Sequence, residues 1–266
     1  MPDVNEALLA DAEVIARSFS VVPHIHPQDH IYGFIAQHPS YPTQGEALQY
    51  YFSTGRQSAE HLKNLIREFH NAASISVLEF ASGYGCVSRH LANVMPEADI
   101  VPCDIHPTAI DFLRDDLCLR PMLSAKVPEE LGLDRVFDVV FALSFFSHMP
   151  KDTWGRWLRS LSAHTADNGL IIFTTHGLKS RNLMGGPTLD PDGFWFNPNS
   201  EQLDLDAAEY GTTITTFDYV YRELNSIPDI HLVKFQEGFW WGHQDVYILS
   251  RGNRDGAELK AKLERA

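Results

Sequence analysis

Residues 77–86, VLEFASGYGC, hold the side chains best suited to chemistry. A short apolar run carries Glu79 near its end, and a turn containing Gly83 and Gly85 leads into a helical pattern. Glycine lets a backbone approach a ligand closely, and the helix start beyond offers free amides. A pyrophosphate site would want bare backbone and G-x-G-x-x-G, but Ser88 stands at the last position. A carboxylate repels a pyrophosphate and attracts an ammonium or a sulfonium, so Glu79 points to a cationic ligand with an amino-acid moiety. Asp104 comes 21 residues after Gly83, where an acid can hold both hydroxyls of a ribose. The same acid occurs in nicotinamide-binding proteins and does not discriminate alone. Ile105 offers an apolar face to an adenine. The pattern describes a ligand with adenosine at one end and a cationic amino acid at the other.

Three histidines flank predicted strands and suit proton transfer near neutral pH: His148, His176 and His243. Each has a bland alternative as a packing or turn residue. His24, His26 and His30 have the density of a metal site, but Pro23 and Pro27 mark a loop and no Cys or Glu lies nearby, so no metal is expected. Phe194-Trp195-Phe196 sits between Asp-Gly and Asn-Pro, which predicts an aromatic loop over an acceptor pocket. Trp240-Trp241 reads as a second aromatic cluster near a strand tip.

These residues need a scaffold, and the periodicity supplies one. Residues 1–72 read as a helical extension, with helices over 5–19 and from Gly45 onward, where Leu62, Leu65, Ile66 and Phe69 form one stripe. Strands follow at 74–80, 99–103, 121–124, 136–143 and 170–175, with helices at 84–95, 107–117 and 152–164, the last N-capped by Asp152. A turn at Asn168-Gly169 precedes the fifth strand. Nearly all-apolar strands alternating with helices mean a parallel sheet covered on both faces. Residues 177–210 break the pattern and read as a lid on the acceptor side. A helix at 216–224 and strands at 231–236 and 245–249 complete a core domain over 73–252, and 255–265 reads as a charged helix in a tail over 253–266. The expectation is a doubly wound, Rossmann-like α/β sheet of about seven strands, mostly parallel with a final antiparallel strand, binding its ligand at the strands' carboxyl ends.

Composition narrows the partners. The chain has 266 residues, 44% apolar and 21% charged, an ordinary globular balance. Its 21 Lys and Arg against 35 Asp and Glu give −14, which disfavours nucleic acid and anionic membranes. Residues 182–221 contain no Lys or Arg and seven acids, Asp190, Asp192, Glu201, Asp204, Asp206, Glu209 and Asp218, a poor surface for a phosphate backbone. No apolar run has the length of a membrane span, no leader is visible at the acid-containing N-terminus, and the scattered Cys86, Cys103 and Cys118 fit a reducing cytoplasm.

Residues 50–250 resemble the class I S-adenosylmethionine-dependent methyltransferases. LEFASGYG is similar to that family's first motif, E/D-x-G-x-G-x-G, with Ala81 at the first glycine position, tolerable where its φ stays negative. FDVVFALSFFSHMP and DNGLIIFTTHG resemble the fourth and fifth strand segments, and YGTTITTFDYVYRELN with WGHQDVYILSR the closing helix and strands. Together with YYFSTGRQSAEHL, that ending is similar to a bacterial subgroup acting on small molecules and glycans. The resemblance implies that Glu79, Ala81, Ser82, Gly83 and Gly85 line the methionine part, that Asp104 holds the ribose and Ile105 the adenine, and that Ala125 and Lys126 edge the adenine. It places Leu143 and Ser144 beneath the sulfonium, and Tyr51, Gly55 and Arg56 beside the cofactor, with Arg56 meeting its carboxylate. No Asn-Pro-Pro-Tyr follows the fourth strand, which reads ALSFF, against exocyclic-amine methylation of nucleobases. The implied reaction is methyl transfer to a small molecule or sugar, at oxygen, with S-adenosyl-L-homocysteine as product. Alternatives are an NAD(P)-dependent oxidoreductase and a non-catalytic S-adenosylmethionine-binding protein.

Overall fold

A computed structural model describes residues 4–70, 74–199, 202 and 205–252. The predicted helix over 255–265 lies outside them, as do Glu201 and Asp204. The chain divides into two compact units, residues 1–124 and 125–266.

The first unit opens with three helices, α1 (Val4–Phe19), α2 (His30–Gln37) and α3 (Gln44–Phe69). Thr43 starts α3 with a reciprocal capping box to Glu46, satisfying two donors that a helix start leaves open. Leu62, Leu65 and Ile66 of its predicted stripe are buried, and Ala12, Ala16, Ile35, Leu48, Tyr51 and Phe52 form the core shared by the three helices. Then come β1 (Ser76–Phe80), α4 (Ser88–Val94), β2 (Asp99–Asp104), α5 (Pro107–Asp115) and β3 (Met122–Leu123). β1 runs parallel to β2, and β2 to β3.

In the second unit β4 (Phe137–Ala142) runs parallel to β5 (Thr165–His176), with α6 (Lys151–Ala163) between them in sequence. Trp154, Leu158 and Leu161 of α6 are fully buried, each stabilising by roughly 1.5–3 kcal/mol relative to exposure. α7 (Leu178–Leu183), β6 (Phe194–Asn197), β7 (Thr212–Thr215), α8 (Phe217–Asn225), β8 (Ile230–Trp240) and β9 (Gln244–Arg251) follow. β9 is antiparallel to both β5 and β8. The sheet has seven strands, ordered β3-β2-β1 in the first unit and β4-β5-β9-β8 in the second, mostly parallel with β9 reversed, as the alternation predicts.

Four local expectations are corrected. Phe194-Trp195-Phe196 is strand β6, paired antiparallel with β7, because its hydrogen-bonding partner lies well beyond any local window. Pro150 occupies the N-cap of α6, leaving Asp152 in the first turn. The helix expected from residue 84 starts at Ser88, since residues 81–87 form the turn. Asn168, at φ 62°, lies inside β5, which already pairs with β4 at Thr165.

Candidate functional site

The first unit presents the glycine-containing turn after β1. Ala81 adopts φ 58°, Gly83 54° and Gly85 78°, three left-handed residues in five. The condition for an easily tolerated Ala81, a negative φ, is not met: the turn demands the left-handed region, and Ala81 bears a steric cost there of roughly 1–2 kcal/mol that glycine would not. At Gly85 a β carbon would strike Leu117 and Leu113 at 2.6 and 2.8 Å, so this glycine lets the turn close on α5. At Gly83 the nearest atom would be 3.9 Å away, so its backbone is open.

Two carboxyl groups flank this turn. Glu79 is buried and accepts from Ser88 Oγ at 2.6 Å. Burial pushes its pKa up to about 8; the Ser88 hydrogen bond opposes this and the Asp104 charge adds to it. Asp104 accepts from the Gly83 amide through Oδ2 at 2.7 Å, and from the amide and Nδ1 of His106 through Oδ1 at 3.0 and 2.8 Å. The buried hydroxyl of Ser82 makes no hydrogen bond among the described residues. An open glycine backbone, an orphaned hydroxyl and two carboxyls fit a cationic amino acid joined to a ribose. Ile105 is half-buried directly beyond Asp104, and the Ser124 amide, preceding Ala125 and exposed Lys126, donates to the Asp104 carbonyl at 2.8 Å.

The α3 residues have different work. Tyr51 is fully buried and donates to Asp29 Oδ2 at 2.7 Å. A β carbon on Gly55 would meet the Cys86 carbonyl at 2.2 Å, so Gly55 permits close helix packing. Arg56 pairs with Glu60 at 2.7 Å on the helix surface. Packing thus turns Tyr51 and Gly55 to the core and leaves Arg56 paired on the helix surface.

The second unit gathers the three candidate histidines. The rings of His148 and His176 lie 6.2 Å apart, and those of His176 and His243 6.0 Å apart. Topology explains this: His148 follows β4, His176 ends β5, and β9 begins opposite His176, with Gln244 as its register partner. His148 donates through Nδ1 to the Gly211 carbonyl at 2.7 Å and stacks on Tyr210 at 4.6 Å. Burial pulls its pKa down to about 4. His176 is pulled to about 3, by burial first and then by its histidine neighbours. His243 is lowered by burial, and its Nδ1 lies 3.1 Å from Ser180 Oγ.

Sequence reasoning missed Gln244 and Thr174, which order this cluster. The Ser144 amide donates to Thr174 Oγ1 at 2.8 Å, and Thr174 donates to Gln244 Oε1 at 2.6 Å. That fixes the amide, so Gln244 Nε2 donates to Ser144 Oγ at 2.9 Å and to His176 Nε2 at 3.3 Å. His176 therefore spends its Nε2 lone pair inside the protein, while His148 keeps Nε2 as its acceptor nitrogen. Ser144, at φ 58°, and Leu143 are half-buried just beyond β4. A glutamine on a strand start carries no spacing signal that could reveal this role.

His24 pairs with Asp116 at 2.9 Å and His26 stacks on Tyr84, and among the described residues no group of three or more His, Cys, Asp or Glu is placed to hold a metal. Asp190 and Asp192 of the acidic segment are both bound by Lys151, at 2.6 and 2.5 Å. Trp240 is fully buried and Trp241 exposed. Among the described residues no helix is long and apolar enough to cross a membrane.

Comparison with known proteins bears on this geometry. Residues 78–171 match the family described as a methyltransferase domain. A malonyl-[acyl-carrier protein] O-methyltransferase of Bacillus anthracis is 27% identical over 124 residues, covering 44% of this chain and 43% of the relative. Its counterpart in Bacillus cereus is 25% identical over 144 residues, covering 50% of each. The chain thus spans about half the length of the curated relatives it matches. Among solved structures, an S-adenosylmethionine-dependent methyltransferase from Clostridium acetobutylicum superposes with TM-score 0.55 at 12% identity, covering 76% of this chain and 92% of that one. The plantazolicin methyltransferase BpumL, solved with S-adenosylhomocysteine, gives 0.55 at 12% identity, covering 92% and 100%. At such identities the superpositions speak for the fold. The matched segment begins at Leu78, one residue before the β1 acid, and ends in β5, with both carboxyls and the glycine-containing turn inside it. Residues 78–171 are thus a methyltransferase domain, set in a fold shared with S-adenosylmethionine-dependent methyltransferases.

Proposed function

We propose that the protein transfers a methyl group from S-adenosylmethionine to a hydroxyl oxygen of a neutral small molecule or glycan, with His148 accepting the proton. The observation carrying this reading is the Nδ1 hydrogen bond of His148 to the Gly211 carbonyl, which leaves Nε2 as the basic atom of a ring kept neutral by burial. His176 is the weaker base candidate because Gln244 donates to its Nε2.

When bound, the cofactor supplies an electrophilic methyl on a positively charged sulfur. Glu79 favours a cationic ligand, and such a ligand drives the carboxyl toward its ionised form. Asp104, held by the Gly83 amide and His106, accepts from ribose hydroxyls with its remaining capacity. Gly83 offers an unobstructed backbone surface and Ser82 a hydroxyl. The protein's main contribution is alignment of two bound reactants. As the acceptor oxygen takes the methyl, its proton passes to Nε2 of His148. The curated relatives are named as O-methyltransferases, which agrees with transfer to oxygen. A carboxylate acceptor would need no base; a neutral histidine cluster fits a neutral hydroxyl.

The test is S-adenosylhomocysteine release from S-adenosylmethionine with a panel of sugars and phenols, beside calorimetric titration with S-adenosylhomocysteine, NAD and NADP. Turnover lost in His148→Ala with cofactor affinity intact supports the proposal. Full turnover by His148→Ala removes the base. Binding without turnover of any acceptor favours a binding protein, and binding of a nicotinamide cofactor instead overturns the reading.

A further inference from the structure

Residues 22–31 run against the glycine-containing turn of the same unit, and one guanidinium fastens them there. Arg89, only 5% exposed, donates through Nη1 to the carbonyls of Val22 and His24, both at 2.9 Å. Through Nε it donates to the Gly85 carbonyl at 3.0 Å, and through Nη2 to the Tyr84 carbonyl and the Tyr51 hydroxyl, both at 3.4 Å. Further along, the His26 ring stacks on Tyr84 at 4.6 Å. Asp29 is buried, caps α2 by accepting from the Tyr32 amide at 3.1 Å, and accepts from Tyr51.

A segment pinned at residues 22–29 delivers the next two side chains to fixed places. The His30 ring lies 5.8 Å from that of His106, which bonds Asp104. Ile31 Cδ1 lies 3.9 Å from where a β carbon of Gly83 would stand. Yet Ile31 is 44% exposed. A branched apolar side chain, anchored by its neighbours beside an open glycine backbone and a ribose-type carboxylate, is apolar surface awaiting a cover.

We infer that Ile31, presented by the first turn of α2, is a cofactor-contacting residue, packing on a nucleoside bound beside Gly83 and Asp104. The inference rests on the S-adenosylmethionine reading above. Phe34, three residues on and 50% exposed, provides the control, because its ring contact is with His38 at 5.8 Å.

The test is calorimetric titration of the intact chain with S-adenosylhomocysteine. Ile31→Ala should raise Kd about fivefold, Ile31→Leu should restore most of the affinity, and Phe34→Ala should leave it within about twofold. Hydrogen exchange of residues 22–31 should slow when S-adenosylhomocysteine is added. An unchanged Kd in Ile31→Ala, with Asp104→Ala still weakening binding, overturns the Ile31 assignment and leaves the cofactor reading standing. Failure of the wild-type protein to bind overturns both.

Discussion

His148 Nδ1 donates to the Gly211 carbonyl at 2.7 Å, and the Gly211 amide returns a bond to the His148 carbonyl at 2.9 Å. The Thr213 amide adds a third link, to Ser147 at 2.7 Å. The chain just before β7 therefore sets both the tautomer and the orientation of one imidazole.

From that arrangement His148→Ala should lower kcat by about 10²–10⁴-fold, the usual worth of a positioned base, with unchanged S-adenosylhomocysteine affinity. Because the pKa is pulled down to about 4, the ring is already neutral above that value. The kcat profile should be flat from pH 6 to 8 and fall only on the acid side, towards pH 4. A limb centred near 6.5 in a kcat–pH series would contradict this.

Asp104→Ala removes the acceptor of the Gly83 amide as well as the expected ribose partner. S-adenosylhomocysteine affinity should drop at least about tenfold, while the far-ultraviolet circular dichroism stays native. Equal affinity in a calorimetric titration would remove Asp104 from the site.

Glu79 gives a stability signature. Its folded pKa, near 8, stands above the ordinary 4.5, so between these values the folded state holds a proton that the unfolded state has released. The contribution is fully present below pH 4.5 and is lost as pH rises through 8. Glu79→Gln should keep the Ser88 hydrogen bond and gain on the wild type by up to about 1.4 kcal/mol per pH unit across that window. Urea unfolding at pH 5 and pH 8 measures it, and parallel curves would refute it. Cofactor binding, which favours the ionised carboxylate, should tighten over the same rise in pH.

Ala81→Gly relieves a left-handed alanine on an exposed turn. The variant should be more stable by about 1 kcal/mol, with cofactor affinity retained. A lower melting temperature would mean that the methyl group makes a contact worth more than the strain.

Much of this protein could be read from its residues in order. β1, β2, β4 and β5 are apolar on both faces, and that continuous signal survives without knowledge of neighbours. The acid, the two glycines and Asp104 were legible for the same reason: their spacing is local to one strand–turn–helix unit and the strand after it. Even the three histidines stand out in the sequence, because each adjoins a predicted strand end.

Only the tertiary structure decides which of their ring nitrogens find partners within the protein. Gln244 is set beside His176 by antiparallel pairing across 68 residues, and that pairing occupies one base candidate while another keeps its nitrogen. The segment 182–221 reads as purely acidic, yet Lys151 and Arg222, outside it, neutralise Asp190 and Asp192. Tyr51 and Gly55 sit at helical positions that could have faced a ligand, and packing turned them inward. The sign of φ at Ala81 follows from closure of a turn, not from alanine's own preference. Local pattern fixes what backbone and hydrophobic burial demand of consecutive residues. Partners remote in sequence meet only when the sheet forms, and they determine charge, tautomer and exposure.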